Sequence, residues 1–238
     1  MNNDFKKFAN GFGINSLALH DYQNITPMII EEREMRIAQM SVFDRMMMDR
    51  IIWLSAPIDE TVTSIIQAQL MFLDSLDNKD IKIHMFSPGG GVQAGLGIRD
   101  IMNYIKSDVA TVNMGMCASM GSVLLSSGTK GKRSSLIYSK VMTHMVSSVA
   151  SGNIQDTRVS QMEAEKFNYI LFKILAENAG VSFEEMFEMS RVDKWFTSDE
   201  AKKIGLIDEI IGVNEDNKSI TNMMGGFDEY YAAEVANK

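Results

Sequence analysis

The chain has 238 residues with 23 Lys+Arg against 31 Asp+Glu, a formal charge of −8 and a pI near 5.0. That balance offers nucleic acid or an anionic membrane no basic surface as a main partner. One cysteine excludes an internal disulfide framework and any multi-cysteine zinc site, and histidines at 20, 84 and 144 leave few candidate general bases. No apolar run approaches the roughly 18 residues that span a bilayer. The start, Met1-Asn-Asn-Asp-Phe-Lys-Lys7, leads into no signal core, so a soluble, cytoplasmic protein is expected.

Residues 1–40 are mixed, with a charged stretch at 31–36 that reads as an arm or an exposed turn. Arg50-Ile-Ile-Trp-Leu54 is a continuous apolar run before Pro57, as in a buried strand. Asp59 caps a helix in which Val62, Ile65, Ile66, Leu70 and Leu73 recur at helical spacing. Ile81, Ile83 and Met85 alternate with Lys82 and His84, the period of a strand with one buried face. Beyond Ser87-Pro-Gly-Gly-Gly91 comes a second helix, with Ala94, Ile98, Ile101, Met102 and Ile105 on one face. Residues 109–114 read as a strand, 115–121 as a tight turn, and 123–127 as a short apolar helix stopped by Gly128. A basic turn at 130–133 precedes short strands expected near 136–138 and 141–144. A long helix follows from about 155 to 180, with Phe167, Ile170, Leu171, Ile174 and Leu175 inward. Capping boxes at Ser182/Glu185 and Thr197/Glu200 mark two short helices, residues 206–211 a closing strand, and residues 214–238 a polar tail. Alternating strands and helices predict one α/β domain, residues 41–213, built on a parallel sheet.

In such sheets ligands bind where strands lead into helices. Two loops have that position. Ser87-Pro-Gly-Gly-Gly91 lets backbone N–H groups approach a ligand, although the motif alone is also a simple turn. It is not a phosphate loop, because no Gly-Lys-Ser/Thr follows. The second loop presents Ser119 between Ala118 and Met120, either as a helix cap or as a nucleophile. Cys117 is a rival nucleophile whose default reading is a small core residue. A nucleophilic serine needs a base and an orienting carboxylate. Composition and periodicity do not choose among the three histidines.

Several pieces occur together and in order. They are Asp49-Arg-Ile-Ile-Trp-Leu54, Gln67-Ala-Gln-Leu-Met-Phe-Leu73, Ser87-Pro-Gly-Gly90, Met114-Gly-Met-Cys-Ala-Ser-Met-Gly121, Gly131-Lys-Arg133, Val141-Met-Thr-His144, Thr197-Ser-Asp-Glu-Ala201 and Gly205-Leu-Ile-Asp208. From about residue 27 to 211 the chain resembles the ClpP family of self-compartmentalising serine peptidases. The resemblance implies a ClpP/crotonase-like spiral of β-β-α units with a protruding handle helix, here residues 155–180. It implies Ser119 as nucleophile, His144 as general base, Asp193 as orienting acid, and the backbone amides of Gly90 and Met120 as oxyanion hole, with no cofactor or metal.

The resemblance also implies two stacked heptameric rings, a tetradecamer whose axial pore is lined by residues 1–40. An AAA+ Clp unfoldase (ClpX- or ClpA/C-like) would hydrolyse the ATP and feed in unfolded polypeptides as part of protein quality control. Lys82, His84 and Tyr104 fall on the docking face for that partner. Where the family usually has Gln-Pro after the histidine this chain has Met145-Val146, and Arg191-Val192 replaces an Asp-Arg pair tied to ring contacts. The leading expectation is therefore a serine endopeptidase subunit. The alternative is a weakly active or inactive structural subunit in a mixed ring with a paralogous ClpP chain. A related fold acting on acyl-CoA thioesters is disfavoured by the intact Ser/His/Asp set.

Overall fold

The computed structural model describes residues 28–33, 36–147 and 152–213, with residues 28–39 described by backbone alone. His20 and the polar tail thus lie outside the described residues. Strands β1 (Met28–Arg33) and β2 (Arg36–Ser41) pair antiparallel, from Met28 opposite Ser41 to Arg33 opposite Arg36. Residues 31–33 and 36 of the charged stretch therefore lie on the two strands. Ser41 then caps α1 (Val42–Met48) in a reciprocal box with Asp44. The apolar pattern before residue 50 gives no sign of this short helix.

From there the order is the expected alternation: β3 (Ile51–Leu54), α2 (Glu60–Leu76), β4 (Ile81–Ser87), α3 (Val92–Tyr104), β5 (Val109–Ala118) and α4 (Met120–Ser126). The three strands pair parallel, β3 on β4 and β4 on β5. Asp59 caps α2 by accepting from the Val62 N–H at 2.8 Å. Ile52, Leu54, Ile81, Ile83 and Met85 of the sheet are buried with Ile65, Ile66, Leu70 and Leu73 of α2 and Ile98 and Met102 of α3. Alternation along β4 turns Lys82, His84 and Phe86 to the opposite face.

β5 runs four residues past the end expected at Met114. Gly115 looks like a strand breaker, yet a Cβ there would lie 2.7 Å from the Phe86 ring, so glycine admits that ring to the strand. The β4–β5 register shifts at this point, with Met85 opposite Asn113 but Ser87 opposite Cys117. The shift lets β5 serve two neighbours. Its residues 111–113 pair with β6 (Arg133–Leu136), and residues 116–118 pair with β7 (Lys140–Thr143), both parallel. β6 starts three residues earlier than expected because Arg133 is buried against Asp208, a side-chain pairing that apolar periodicity cannot show.

α5 (Ile154–Ala179) has no buried side chain before Leu171. Only its last turns pack, through Leu171, Phe172, Ile174, Leu175 and Ala176. Two inward assignments change, since Ile170 is 41% exposed and Phe167 only half-buried, while the unassigned Phe172 is buried, edge-on to Phe187 at 5.5 Å. A helix of 26 residues is about 39 Å long at ~1.5 Å per residue, so its first part extends from the body as the handle of the expected fold. α6 (Phe183–Met189) has a one-sided cap, Ser182 accepting from the Glu185 N–H. α7 (Ser198–Lys203) has the full reciprocal box between Thr197 and Glu200. β8 (Lys194–Thr197) pairs antiparallel with β7, and β9 (Glu209–Ile211) closes the sheet beside β6. No helix among the described residues is long and apolar enough to cross a membrane.

Candidate active site

Ser119 occupies the corner between β5 and α4 with φ 54° and ψ −124°, one of two non-glycine residues with positive φ among those described. Such a conformation costs about 1–3 kcal/mol and persists only where its surroundings hold it. Here the Ser119 N–H donates to the Met142 carbonyl of β7 at 2.9 Å. The Ser119 carbonyl accepts from both the N–H and the hydroxyl of Ser122, at 2.9 and 2.7 Å. Although Ser119 stands at the N-cap position of α4, its hydroxyl makes no cap bond. The hydroxyl lies instead 2.8 Å from His144 Nε2.

His144 and Asp193 are brought together by strand register. In the antiparallel β7–β8 ladder Lys140 faces Thr197 and Thr143 faces Lys194. One step beyond the last pair puts residue 144 opposite 193, and there His144 Nδ1 lies 3.2 Å from Asp193 Oδ1. With Nδ1–H donating to Asp193, Nε2 is the bare nitrogen that can accept the Ser119 proton. The Asp193 side chain is 66% exposed, so its contact with the imidazole competes with solvent.

Ile58 holds the glycine loop in place: its N–H donates to the Gly89 carbonyl at 2.8 Å, and its carbonyl accepts from Gly91 at 2.7 Å. This parallel bridge, centred on Gly90, leaves the Gly90 N–H on the side away from Ile58. Met120 is the first residue of α4, so its N–H has no helical carbonyl to meet. Both residues line a cavity of about 250 Å³ with Ser119 and His144, whose apolar wall includes Val92, Val123, Met142, Leu171 and Leu175. A nucleophile, a base and two backbone donors on one cleft can carry out acyl transfer. Cys117 is buried, its thiol pushed up by that burial, and it does not line this cavity.

Lys82 and His84 line a different cavity, of about 440 Å³, with Val112, Met114, Lys132 and Ile211. Burial, and then the Lys82 ammonium, hold the His84 imidazole below its ordinary value. Tyr104, 77% exposed at the end of α3, is not among the residues lining that cavity.

A sequence model described as Clp protease matches residues 32–214. The ATP-dependent Clp protease proteolytic subunit of Bacteroides fragilis strain YCH46 is 46% identical over 215 residues, 87% of this chain and 98% of that one. Its counterpart from Porphyromonas gingivalis strain W83 is 46% identical over 219 residues, 89% and 99% of the two chains. The chain belongs to the Clp protease family. It is a Clp-type serine protease subunit, and its parallel α/β fold is that of the family.

Against the Clp protease pattern, Val146 stands where proline is usual, and its N–H, which proline lacks, donates to Asn168 Oδ1 of α5 at 2.7 Å. The segment after His144 is thereby tied to the handle. No motif marks Asn168 or Ile58 in the sequence, because each acts through a bond to a distant backbone atom. The loop also makes a sharp prediction. At Gly89, φ is +94° and a Cβ would lie 2.6 Å from Ser119 Cβ and 2.7 Å from the Ala118 carbonyl oxygen. Gly89→Ala is expected to lower peptide hydrolysis at least ~100-fold by displacing Ser119. Steady-state kinetics on a fluorogenic peptide, beside a thermal melt, measure it.

Proposed function

We propose that Ser119, His144 and Asp193 are the catalytic triad of this Clp-type peptidase subunit, which hydrolyses unfolded polypeptides through an acyl-enzyme. The observation that carries the reading is the continuous contact from Ser119 Oγ through both His144 nitrogens to Asp193, at 2.8 and 3.2 Å. Ser119 Oγ attacks the peptide carbonyl carbon while His144 Nε2 takes its proton. Asp193 holds the tautomer and stabilises the imidazolium. The Gly90 and Met120 N–H groups receive the oxyanion. Nε2–H then protonates the leaving amine, and water, activated by the same imidazole, hydrolyses the ester. The apolar wall of the cleft favours apolar side chains next to the scissile bond.

The same reading extends to assembly. Parallel sheets are covered on both faces, yet here the face bearing Lys82, His84 and Phe86 is partly open to solvent. Ile154, Val159 and Met162 are likewise exposed on α5. These surfaces support two stacked heptameric rings joined by the handles. They also support an AAA+ Clp unfoldase docked at the Lys82–His84 face, with Tyr104 presented by a neighbouring copy. The sequence carries no phosphate loop of its own, so ATP is the unfoldase's substrate. Residues 1–40 serve as axial arm, 41–213 as peptidase domain and 214–238 as tail, in a cytoplasmic protein-quality-control protease. A fluorophosphonate probe applied to the assembled protein, followed by peptide mapping and native mass spectrometry, tests the reading. Labelling of Ser119 in a 14-subunit particle, as the resemblance implies, is expected; a Ser119 that never labels in any assembly overturns the catalytic assignment.

A further inference from the structure

Asp193 belongs to a run of exposed residues, 191–195, between buried Ser190 and buried Phe196. A carboxylate on such a segment meets an imidazole reproducibly only if the chain beneath it is fixed. The β7–β8 ladder fixes one side and ends at Thr143 opposite Lys194, one pair short of His144 and Asp193. On the other side stand two buried hydroxyls. Thr143 Oγ1 and Ser190 Oγ lie 2.8 Å apart, and the two residues are 1% and 0% exposed. Thr143 immediately precedes His144. Ser190 ends α6 three residues before Asp193, its N–H bonded to the Met186 and Phe187 carbonyls at 3.2 and 3.1 Å. The Ser190 hydroxyl also contacts Met186 Sδ at 3.8 Å, so the end of α6 is held to its own last turn and to β7 together.

We propose that the Thr143–Ser190 hydroxyl bond is a positioning pair for the His144–Asp193 contact. It sets the separation between the end of β7 and the segment carrying Asp193, and so the plane in which the imidazole faces Ser119. Buried hydroxyls suit the task, since either one alone would be left unsatisfied with no solvent to turn to. The bond ties neighbours of the two residues and touches neither substrate nor reacting atoms. The proposal rests on the reading of Ser119, His144 and Asp193 as the triad.

The test uses the full chain in its active assembly, a short fluorogenic peptide, and the variants Thr143→Val, Ser190→Ala, the double change and Thr143→Ser. Native mass spectrometry and a thermal melt accompany each, and rates are normalised to assembled, folded protein. Thr143→Val and Ser190→Ala are each expected to lower kcat about 10-fold, a displacement well short of 1 Å, with KM within about twofold. The double variant should lose no more than the worse single one, Thr143→Ser should retain most of the rate, and Thr143→Val should add nothing in an Asp193→Ala background. Unchanged kcat in Thr143→Val, additive losses, no rescue by serine, or a loss that vanishes on normalisation each overturns the proposal. The two readings fail separately. A fully active Ser119→Ala variant removes the triad, whereas an inactive Ser119→Ala beside a full-speed Thr143→Val removes only the positioning pair.

Discussion

Ser119→Ala is expected to lower kcat for peptide hydrolysis by about 10⁴–10⁶-fold, with KM nearly unchanged. The change removes one oxygen. The backbone at φ 54° is no harder for alanine than for serine, and the Met142 and Ser122 bonds to residue 119 use main-chain atoms that remain. Melting temperature should therefore hold while activity disappears. His144→Ala should cost a similar factor, and the double variant no more than either alone, because nucleophile and base act as one unit. Asp193→Ala should cost distinctly less, since its exposed carboxylate already shares the imidazole's orientation with water and strand register. Steady-state rates on titrated enzyme check all four. Substantial activity in Ser119→Ala would require another nucleophile, and Cys117, buried with its thiol pushed up, is not placed to supply one.

How far the sequence foretells this arrangement depends on the range of the interactions. Ile81, Ile83 and Met85 declare β4 by alternation, and Asp59 declares the start of α2, because each signal is complete within a few residues. The residues proposed as the triad are legible through motif resemblance, but the means of their convergence is not. β8 is only Lys194-Trp-Phe-Thr197, with its first two residues exposed, and nothing local predicts that it pairs antiparallel with β7. Gly115 misleads in the opposite sense: it reads as a break, yet it lies inside β5 because Phe86 needs its space. On α5 the apolar positions are correctly helical, but periodicity does not tell which half of a helix meets the core. The glycine loop shows the same limit, since its small residues announce close backbone approach while the clasp by Ile58 comes from another element.

Arg133 gives the largest expected effect on stability. In the sequence it reads as part of a basic turn and of one motif piece, yet it is buried at the start of β6 and holds three places at once. Its Nε and Nη2 meet Asp208 Oδ2 and Oδ1 at 2.9 and 2.6 Å, and its Nη1 donates to the Ser126 and Asn178 carbonyls at 3.2 and 3.0 Å. The guanidinium thus joins the β9 approach, the end of the helix that Ser119 begins, and the packed end of the handle. Asp208 also accepts from the Gly131 and Arg133 N–H groups at 2.7 and 3.0 Å, so its carboxylate organises the whole turn before β6. Arg133→Met removes the buried guanidinium, leaving the half-buried carboxylate only its two backbone donors and taking from the Ser126 and Asn178 carbonyls the donor they share. The expected loss is about 3–5 kcal/mol, or a fall in Tm of about 10 °C or more. Acid sharpens the test. Burial pushes the Asp208 carboxyl up, but the Arg133 guanidinium and the two backbone donors outweigh it and hold the group below its ordinary value. The unfolded chain therefore takes up that proton first. The stabilisation is full above the ordinary carboxylate value and is lost as pH falls through the lower, folded one. In the parent protein Tm should accordingly fall below about pH 4, whereas in Arg133→Met only the two backbone N–H donors still oppose the burial effect and the Asp208 contribution to that acid slope should shrink. Melts across pH 3–7 on both proteins decide it, and parallel acid slopes in the two would show that the Arg133–Asp208 pair is not what holds this corner together.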